Sequence, residues 1–578
     1  MRYAVDPRQM DLFEPASAMF SPMTIKYLSS DWPGLFRHQV LHLMPANKLG
    51  EHFDSRVGCH TKELYGMAGT IFLKEFFDLT IPQTVERYLT DAAWQYALNV
   101  NPMEASLSHA TVERYLKLFA ENDLAADVFH RVTSALIEAL ELDVSRQRLD
   151  STHLYSDMAT FGRTKLMGVT IKRFLTQLKR HHRDLHEALD DDFRVRYAPS
   201  QAKLFGDFTG SRSALRQAVA QDLLRLVSRF ANHEQITRRD SYKAMARVLH
   251  EQCDVEEETV ELKKKTGGDV RQNPSDPDAT YDGHKGPGYQ AQIAETCGEE
   301  NDVQLITGVE TEPAHTSDQD AVEPMLDQLE THERQPEVMY ADTGYGSDDN
   351  VMHAEGRGVD LQSPVSGGPK QNADDLTIDD FVVDEETQTV ERCPAGYEPV
   401  SSVHDHDKGR TRTVMAAWRC SSCPHRDECP VQKRRNSITN CVDSERHCYV
   451  VDHTPAEHRT ASRRAEQATD AFRENYRVRG GGESVNSGLK RKTGMGHLRV
   501  RGSPRVRMSV LLRCAGWNLF RALAGLKQCG IRDLAAVFAA SALIRALVCR
   551  FASLSAPFRC PDRRNIALRP ETSVVMAA

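Results

Sequence analysis

No apolar run in this chain is long enough to cross a bilayer. The most apolar late stretch, "LAAVFAASALIRALV" at 534–548, falls short of a span and carries Arg545, so a packed helix is expected there. The opening residues MRYAVDPRQM hold no apolar core with a cleavage site, and no secretory signal is expected. Nor is there an overall surplus of positive charge. The 73 Lys and Arg stand against 82 Asp and Glu, a formal net charge of −9 that taken alone speaks against a nucleic-acid partner. No internal repeat is visible. Thirteen cysteines without a secretion signal argue for reduced thiols or metal ligands, not a disulfide framework, and the expected compartment is the cytoplasm.

What is present describes a soluble globular protein. With 578 residues, 40% hydrophobic and 27% charged, the chain can bury more than one core, and its length suggests two to four domains. Its charge is unevenly spread. Lys490, Arg491, Lys492, Arg499, Arg501, Arg505, Arg507 and Arg513 follow one another with no Asp or Glu between them, while acids collect in 251–261 and 373–391. A phosphate-binding surface is a local property, so the basic run outweighs the whole-chain figure.

Apolar spacing predicts helices over residues 20 to 145, with Ser108 as an N-cap in "SHATVERYLKLFAEND". The period then shortens, and "SRQRLDSTHLYSD" reads as a β segment containing Asp150. Long charged helices are expected over 165–265. Strands follow in "YQAQIAETC" and "DVQLITGVE", then a helix in "SDQDAVEPMLDQLETHE" and a strand in "EVMYADTGYGS" with Asp342 at its mouth. Residues 366 to 455 read as an acidic, loop-rich insertion, and helices resume from 456. The expected fold is α/β, a mixed sheet flanked by helices with carboxylates at strand ends and one on a helix.

The stretch "YRVRGGGESVNSGLKRKTG" at 476–494 sets the functional question. Three glycines precede Glu483, although each costs about 1 kcal/mol against alanine within a helix. They suggest close backbone approach or a helix start. Arg479, Glu483, Asn486 and Lys490 fall on one face if the segment is helical. A carboxylate between Arg and Lys on such a face suits a phosphodiester lying across it. Two aspartates and a glutamate also suit a pair of Mg²⁺ or Mn²⁺ ions, which clamp the attacking and leaving oxygens of a phosphoryl displacement. Taken singly, each acid also fits a bland role: a strand-end cap for Asp150, a turn residue for Asp342, a first-turn helix glutamate for Glu483.

The spacing Tyr476-x2-Arg479-x3-Glu483-x6-Lys490 resembles the signature of a group of insertion-sequence transposases with an Asp-Asp-Glu active site. "LDSTHL" around Asp150 and "ADTGYG" around Asp342 resemble that family's two aspartate motifs. The resemblance covers roughly residues 20 to 525. It implies a ribonuclease H-like catalytic core, an N-terminal helical DNA-binding region, and Mg²⁺-dependent cutting and joining at transposon ends. Asp150, Asp342 and Glu483 become the expected catalytic and metal-holding acids. Tyr476, Arg479, Lys490, Arg491, Lys492, Arg499 and Arg501 become the expected contacts to double-stranded DNA, both transposon ends and target. A homodimer or higher assembly on DNA is expected, since two ends must be held together, with the protein cytoplasmic and nucleoid-associated. A transposase-derived DNA-binding protein and a metal-dependent nuclease without strand transfer are the competing readings.

The expected division is an N-terminal DNA-binding domain at 20–145, and a first catalytic part at 146–365 with its helical insertion at about 165–265. A Cys-containing insertion at 366–455, a helical catalytic part at 456–525 and a C-terminal extension at 526–578 complete it. In the Cys-containing insertion, Cys393, Cys420, Cys423 and Cys429 include the short-spaced knuckle "CSSCPHRDEC", and a structural Zn²⁺ is expected there. Free thiols are the alternative.

Overall fold

The computed structural model describes residues 2–8, 19–197, 204–205, 209–256, 259–366, 375–435 and 447–528. The helix expected at 534–548 therefore lies outside the described residues. Four helices dominate the N-terminal region: α1 (Leu64–Phe76), α2 (Ile81–Thr90), α3 (His109–Glu121) and α4 (Leu124–Ala139). Ser108 caps α3 as its spacing predicts, its hydroxyl accepting the Thr111 N–H at 3.2 Å. Helix α1 is buried on almost every side, its charged residues Lys74 and Glu75 paired with each other inside the core at 2.6 Å.

A mixed sheet follows, and β1 (Arg146–Leu154) lies at its centre. The chain then departs into a helical insertion, chiefly α5 (Arg163–His181), α6 (Arg212–Phe230) and α7 (Asp240–Gln252), which has a hydrophobic core of its own. It returns as β2 (Thr280–Asp282), β3 (Gly286–Thr296) and β4 (Ile306–Pro313). Helix α8 (Val322–Thr331), β5 (Val338–Ala341), α9 (Asp348–Glu355) and β6 (Asp360–Gln362) complete the unit. β3 is antiparallel to β1, to β4 and to the short β2, while β5 runs parallel to β1 and β6 parallel to β5.

Strand periodicity sorts the side chains of β1. Leu149 joins Met339, Ala341, Met325 and Ala354 beneath α8 and α9. Arg148 and Asp150 point to the opposite face, toward the C-terminal helices.

Residues 376–453, expected as loop-rich, contain a four-stranded antiparallel sheet. Its strands are β7 (Ser401–Asp405), β8 (Arg410–Met415), β9 (Gln432–Arg435) and β10 (His447–His453), in the order β7–β8–β10–β9. Along β8 the arginines face water while Thr411 and Thr413 are buried. Such an alternation reads as polar in sequence because its inward residues are threonines. Then come α10 (Pro455–Gln467), α11 (Gly481–Thr493) and the long α12 (Ser503–Gln528).

Helix α12 ties the molecule together. One continuous core joins Phe72, Phe119 and Phe129 of the N-terminal helices to Ile293 and Ile306 of the sheet through Leu511 and Leu519. Inside it, the buried Asn518 amide accepts the Ile306 N–H at 2.8 Å and donates to the Ile306 carbonyl at 2.7 Å. The side chain thus satisfies backbone groups at the start of β4 that would otherwise be stranded in an apolar core.

Candidate functional site

Asp150 sits in the middle of β1 and Asp342 directly follows β5, its parallel neighbour, where Leu149 pairs with Ala341. Asp342 also caps the next 3₁₀ turn, its carboxylate accepting the Thr343 N–H at 2.6 Å. Glu483 lies in the first turn of α11, which crosses β1. Three distant segments thereby bring their carboxylates around one cation, Arg479. Its Nη2 donates to Asp150 Oδ1 at 3.2 Å and to Asp342 Oδ2 at 3.1 Å, and its Nη1 to Glu483 Oε1 at 3.4 Å. Arg479 and Asp150 are 17% and 16% exposed, Asp342 and Glu483 53% and 74%, so the arrangement is a recess with an open rim.

The glycines explain how α11 comes so close. A Cβ on Gly481 would stand 1.9 Å from Arg148 Nη1, and one on Gly482 would stand 3.3 Å from Asp150 Oδ2. Their backbone angles are helical, so the requirement is space and not a special conformation. Arg148 cannot easily retreat. Its Nε donates to the buried Glu295 at 2.9 Å and its Nη1 to the Val478 carbonyl at 3.0 Å. Asn486, one turn after Glu483, donates to Asp150 Oδ2 at 3.1 Å and to the Ser151 carbonyl at 3.3 Å.

Burial holds Asp150 above the usual carboxylate range, opposed by Arg479 and the Ser151 N–H and reinforced by Asp342 and Glu483. Burial, and then Lys285, pushes Lys490 below its ordinary value, while Asp150 pulls it back. Tyr476, expected on DNA, donates its hydroxyl to the Ala341 carbonyl at 2.8 Å and so braces the strand end before Asp342. Burial pushes its phenol up to about 12.

Beside the acids opens a cleft of about 970 Å³, walled by Lys490, Arg491 and Arg505 and floored by His153 and Tyr155. Tyr155 stacks on His497, ring centres 4.8 Å apart. The basic run is divided by the fold. Lys490, Arg491, Arg499 and Arg505 line this cleft, but Arg499 is paired with Asp78 at 3.1 Å and Arg501 with Asp157 at 2.8 Å. Arg507 is paired with Asp123 and Glu310, and Arg513 is buried against Glu75 and Asp78. Lys492 is exposed.

The donor set of the acid group is oxygen only, which matches a hard divalent cation. The oxygens surround a guanidinium, however, and among the described residues no three His, Cys, Asp or Glu side chains close on a single ion position. The zinc expectation finds no support for the same reason. Cys393, Cys420, Cys423 and Cys429 do line one small cavity beside Met415 and Val431, and burial pushes Cys420 up to about 11 and raises Cys429.

Residues 392–523 match a family model described as "Transposase DDE domain". The match supports a DDE transposase. It spans Tyr476, Arg479, Glu483 and Lys490 and leaves the strands of Asp150 and Asp342 outside. A transposase acts on DNA, and among the described residues no helix is long and apolar enough to cross a membrane. No curated protein and no solved structure matched the chain.

Arg148, Glu295 and Asn486 complete the site. Asn486 was legible as the i+3 neighbour of Glu483, and Arg148 as the residue two before Asp150 on a strand. Nothing local marks Glu295.

Proposed function

We propose that the protein binds transposon terminal inverted repeats and catalyses metal-dependent DNA cleavage and strand transfer, with Asp150, Asp342 and Glu483 as the catalytic acids. The observation that carries this reading is the sharing of one guanidinium by three carboxylates from segments far apart in sequence. Three negative charges around a single positive one leave an excess that a divalent cation suits. Two Mg²⁺ or Mn²⁺ ions, when bound, activate the attacking oxygen and stabilise the leaving one. The chain's own residues do the rest. Asn486 orients Asp150, Tyr476 braces the strand end that carries Asp342, and Arg479 and Lys490 offer their charge to the DNA phosphate. Arg491, Lys492 and the cleft beside them extend that cationic edge for the duplex.

The sheet order supports a ribonuclease H-like core: β1, β3 and β4 form an antiparallel run on one side, β5 and β6 run parallel to β1 on the other, and the acids lie on the central strand, just after its parallel neighbour and on a crossing helix. Joining two ends calls for an assembly of at least two chains on DNA, with the N-terminal helices reading the end sequence.

The test uses the full chain, Mg²⁺ and a duplex carrying both ends of the element. Wild type should cut at the ends and join them to target DNA, whereas Asp342→Asn and Glu483→Gln should do neither. Cleavage without a joined product would leave a metal-dependent nuclease. Undiminished cleavage by both variants would remove the acids from the chemistry.

A further inference from the structure

A second cationic groove lies in the helical insertion, away from the acids. It occupies about 940 Å³ between α5, α7 and the segment around Arg271. Seven cationic side chains line it against a single carboxylate, Asp240. Some are committed. Arg238 pairs with Glu234, Arg247 with Glu251, and Arg239 Nη2 sits 3.4 Å from His182 Nε2. Lys172, Arg173, Lys243 and Arg271 make no side-chain hydrogen bond or ion pair among the described residues.

Arg271 is the telling one. It is only 7% exposed, and its Nε is buried without a hydrogen-bond partner. A guanidinium removed from water normally has its donors satisfied, because an unmet buried charge is among the most costly features a fold can carry. The acids nearby, Glu251 and Asp278, attract Arg271 but make no side-chain hydrogen bond to it: Glu251 pairs with Arg247 and accepts the Arg271 backbone N–H at 2.8 Å, and Asp278 accepts the Ser503 N–H at 3.0 Å. Burial and the neighbouring Arg247 lower Arg271, and burial with Arg501 lowers Arg173. Seven like charges thus share the groove with too few carboxylates to match them. Such crowding is the signature of a site for an external anion.

We infer that this groove holds the phosphate backbone of duplex DNA, as a second contact strip separate from the cleft beside Asp150. Its dimensions favour a polymer over a single phosphate. Lys172 and Arg173 stand side by side on α5, while Lys243 and Arg247 stand one turn apart on α7, about 6 Å by helical rise, with Arg238 and Arg239 just before that helix. That length spans about two phosphates of one strand. One end of the strip lies near the C-terminal basic run, because Arg173 is within electrostatic reach of Arg501. The inference rests on the DNA-joining function proposed above and assigns it a partner surface.

Lys172 and Lys243 lie outside the catalytic group and carry no internal interaction, so the full-length double variant K172E/K243E should fold with an unchanged melting temperature. Its affinity for a random-sequence 40-base-pair duplex, followed by fluorescence anisotropy, should fall about tenfold or more. The slope of log K against log salt should shrink by about 2, one per lost phosphate contact. Arg271→Gln should weaken binding and at the same time raise the melting temperature, since a buried unpaired charge is removed. Unchanged affinity and slope in K172E/K243E would overturn the inference. So would protection of the groove by inorganic phosphate with duplex affinity intact, which would assign it to a small anion. Failure of the catalytic reading is separately visible, because Asp342→Asn would then cut DNA whatever the groove variants do.

Discussion

At Asp150 the demands of folding and of chemistry pull in opposite directions. Its carboxyl is held above the usual range chiefly by burial, so folding favours the protonated form. The group's contribution to stability is complete below the unfolded-state value and is lost as pH rises through the folded one. At neutral pH the ionised acid is therefore a local cost. Asp150→Asn should melt at the same or a higher temperature than wild type at pH 7, with the difference shrinking at acid pH, where both side chains are neutral. DNA cleavage should fall about ten-thousandfold, the scale for an essential catalytic group. A variant that melts several degrees lower would mean that the ionised Asp150 holds the fold together.

Arg479 answers the same charges from the other side. Removing it leaves three carboxylates facing one another, with Asp150 only 16% exposed. Arg479→Ala should cost about 1–3 kcal/mol in metal-free buffer, nearly all through Asp150, because the leg to the exposed Glu483 is screened by water. Added Mg²⁺ should restore the melting temperature more strongly than it raises that of wild type. A variant indifferent to Mg²⁺ would show that the acids share no ion.

At the scale of elements, the first turn of α11 decides whether the acids meet. The three glycines have separate reasons to be there. A Cβ on Gly480 would meet nothing within 4 Å, and its φ of −57° is helical. Gly480→Ala should therefore stabilise by about 0.5–1 kcal/mol. Gly481→Ala drives a methyl group into the guanidinium of Arg148, which Glu295 and Val478 hold in place. It should destabilise by about 1–3 kcal/mol despite the better helix propensity, and reduce cleavage by pushing Glu483 away from Asp150. Denaturant melts of the two variants side by side are the measurement; equal and positive effects would refute the packing argument. The glycine run advertised a close approach in the sequence. The partner was not legible, since Arg148 lies 330 positions before the Val478 it touches.

At the scale of the whole molecule, the N-terminal helices and the mixed sheet are parts of one core. Phe72, Phe119 and Phe129 pack with Leu511 and Leu519 of α12, which in turn covers Ile306. A chain beginning at residue 146 would uncover that face of α12 and expose a broad apolar patch. It should be insoluble or lack a cooperative melt, as checked by circular dichroism and size exclusion. A folded, cooperative fragment would show that the N-terminal helices dock on a core complete without them.

The local pattern of this chain determined its elements and the order of its acids. Periods of two and of three to four, cap residues and glycines act between near neighbours, so β1, β3, β4, α8 and the Tyr476–Lys490 spacing could be read directly. Tertiary structure alone decided which charges remain available. Arg499 reaches Asp78, 421 positions away, and Arg501 reaches Asp157, 344 positions away, so a run that looks uniformly basic is partly neutralised where it stands. The same closure turned a polar, cysteine-bearing segment into a sheet around packed thiols, and put Arg479 among the three acids. Ion pairing and burial depend on which distant segments the hydrophobic core brings together, and no local spacing contains that information.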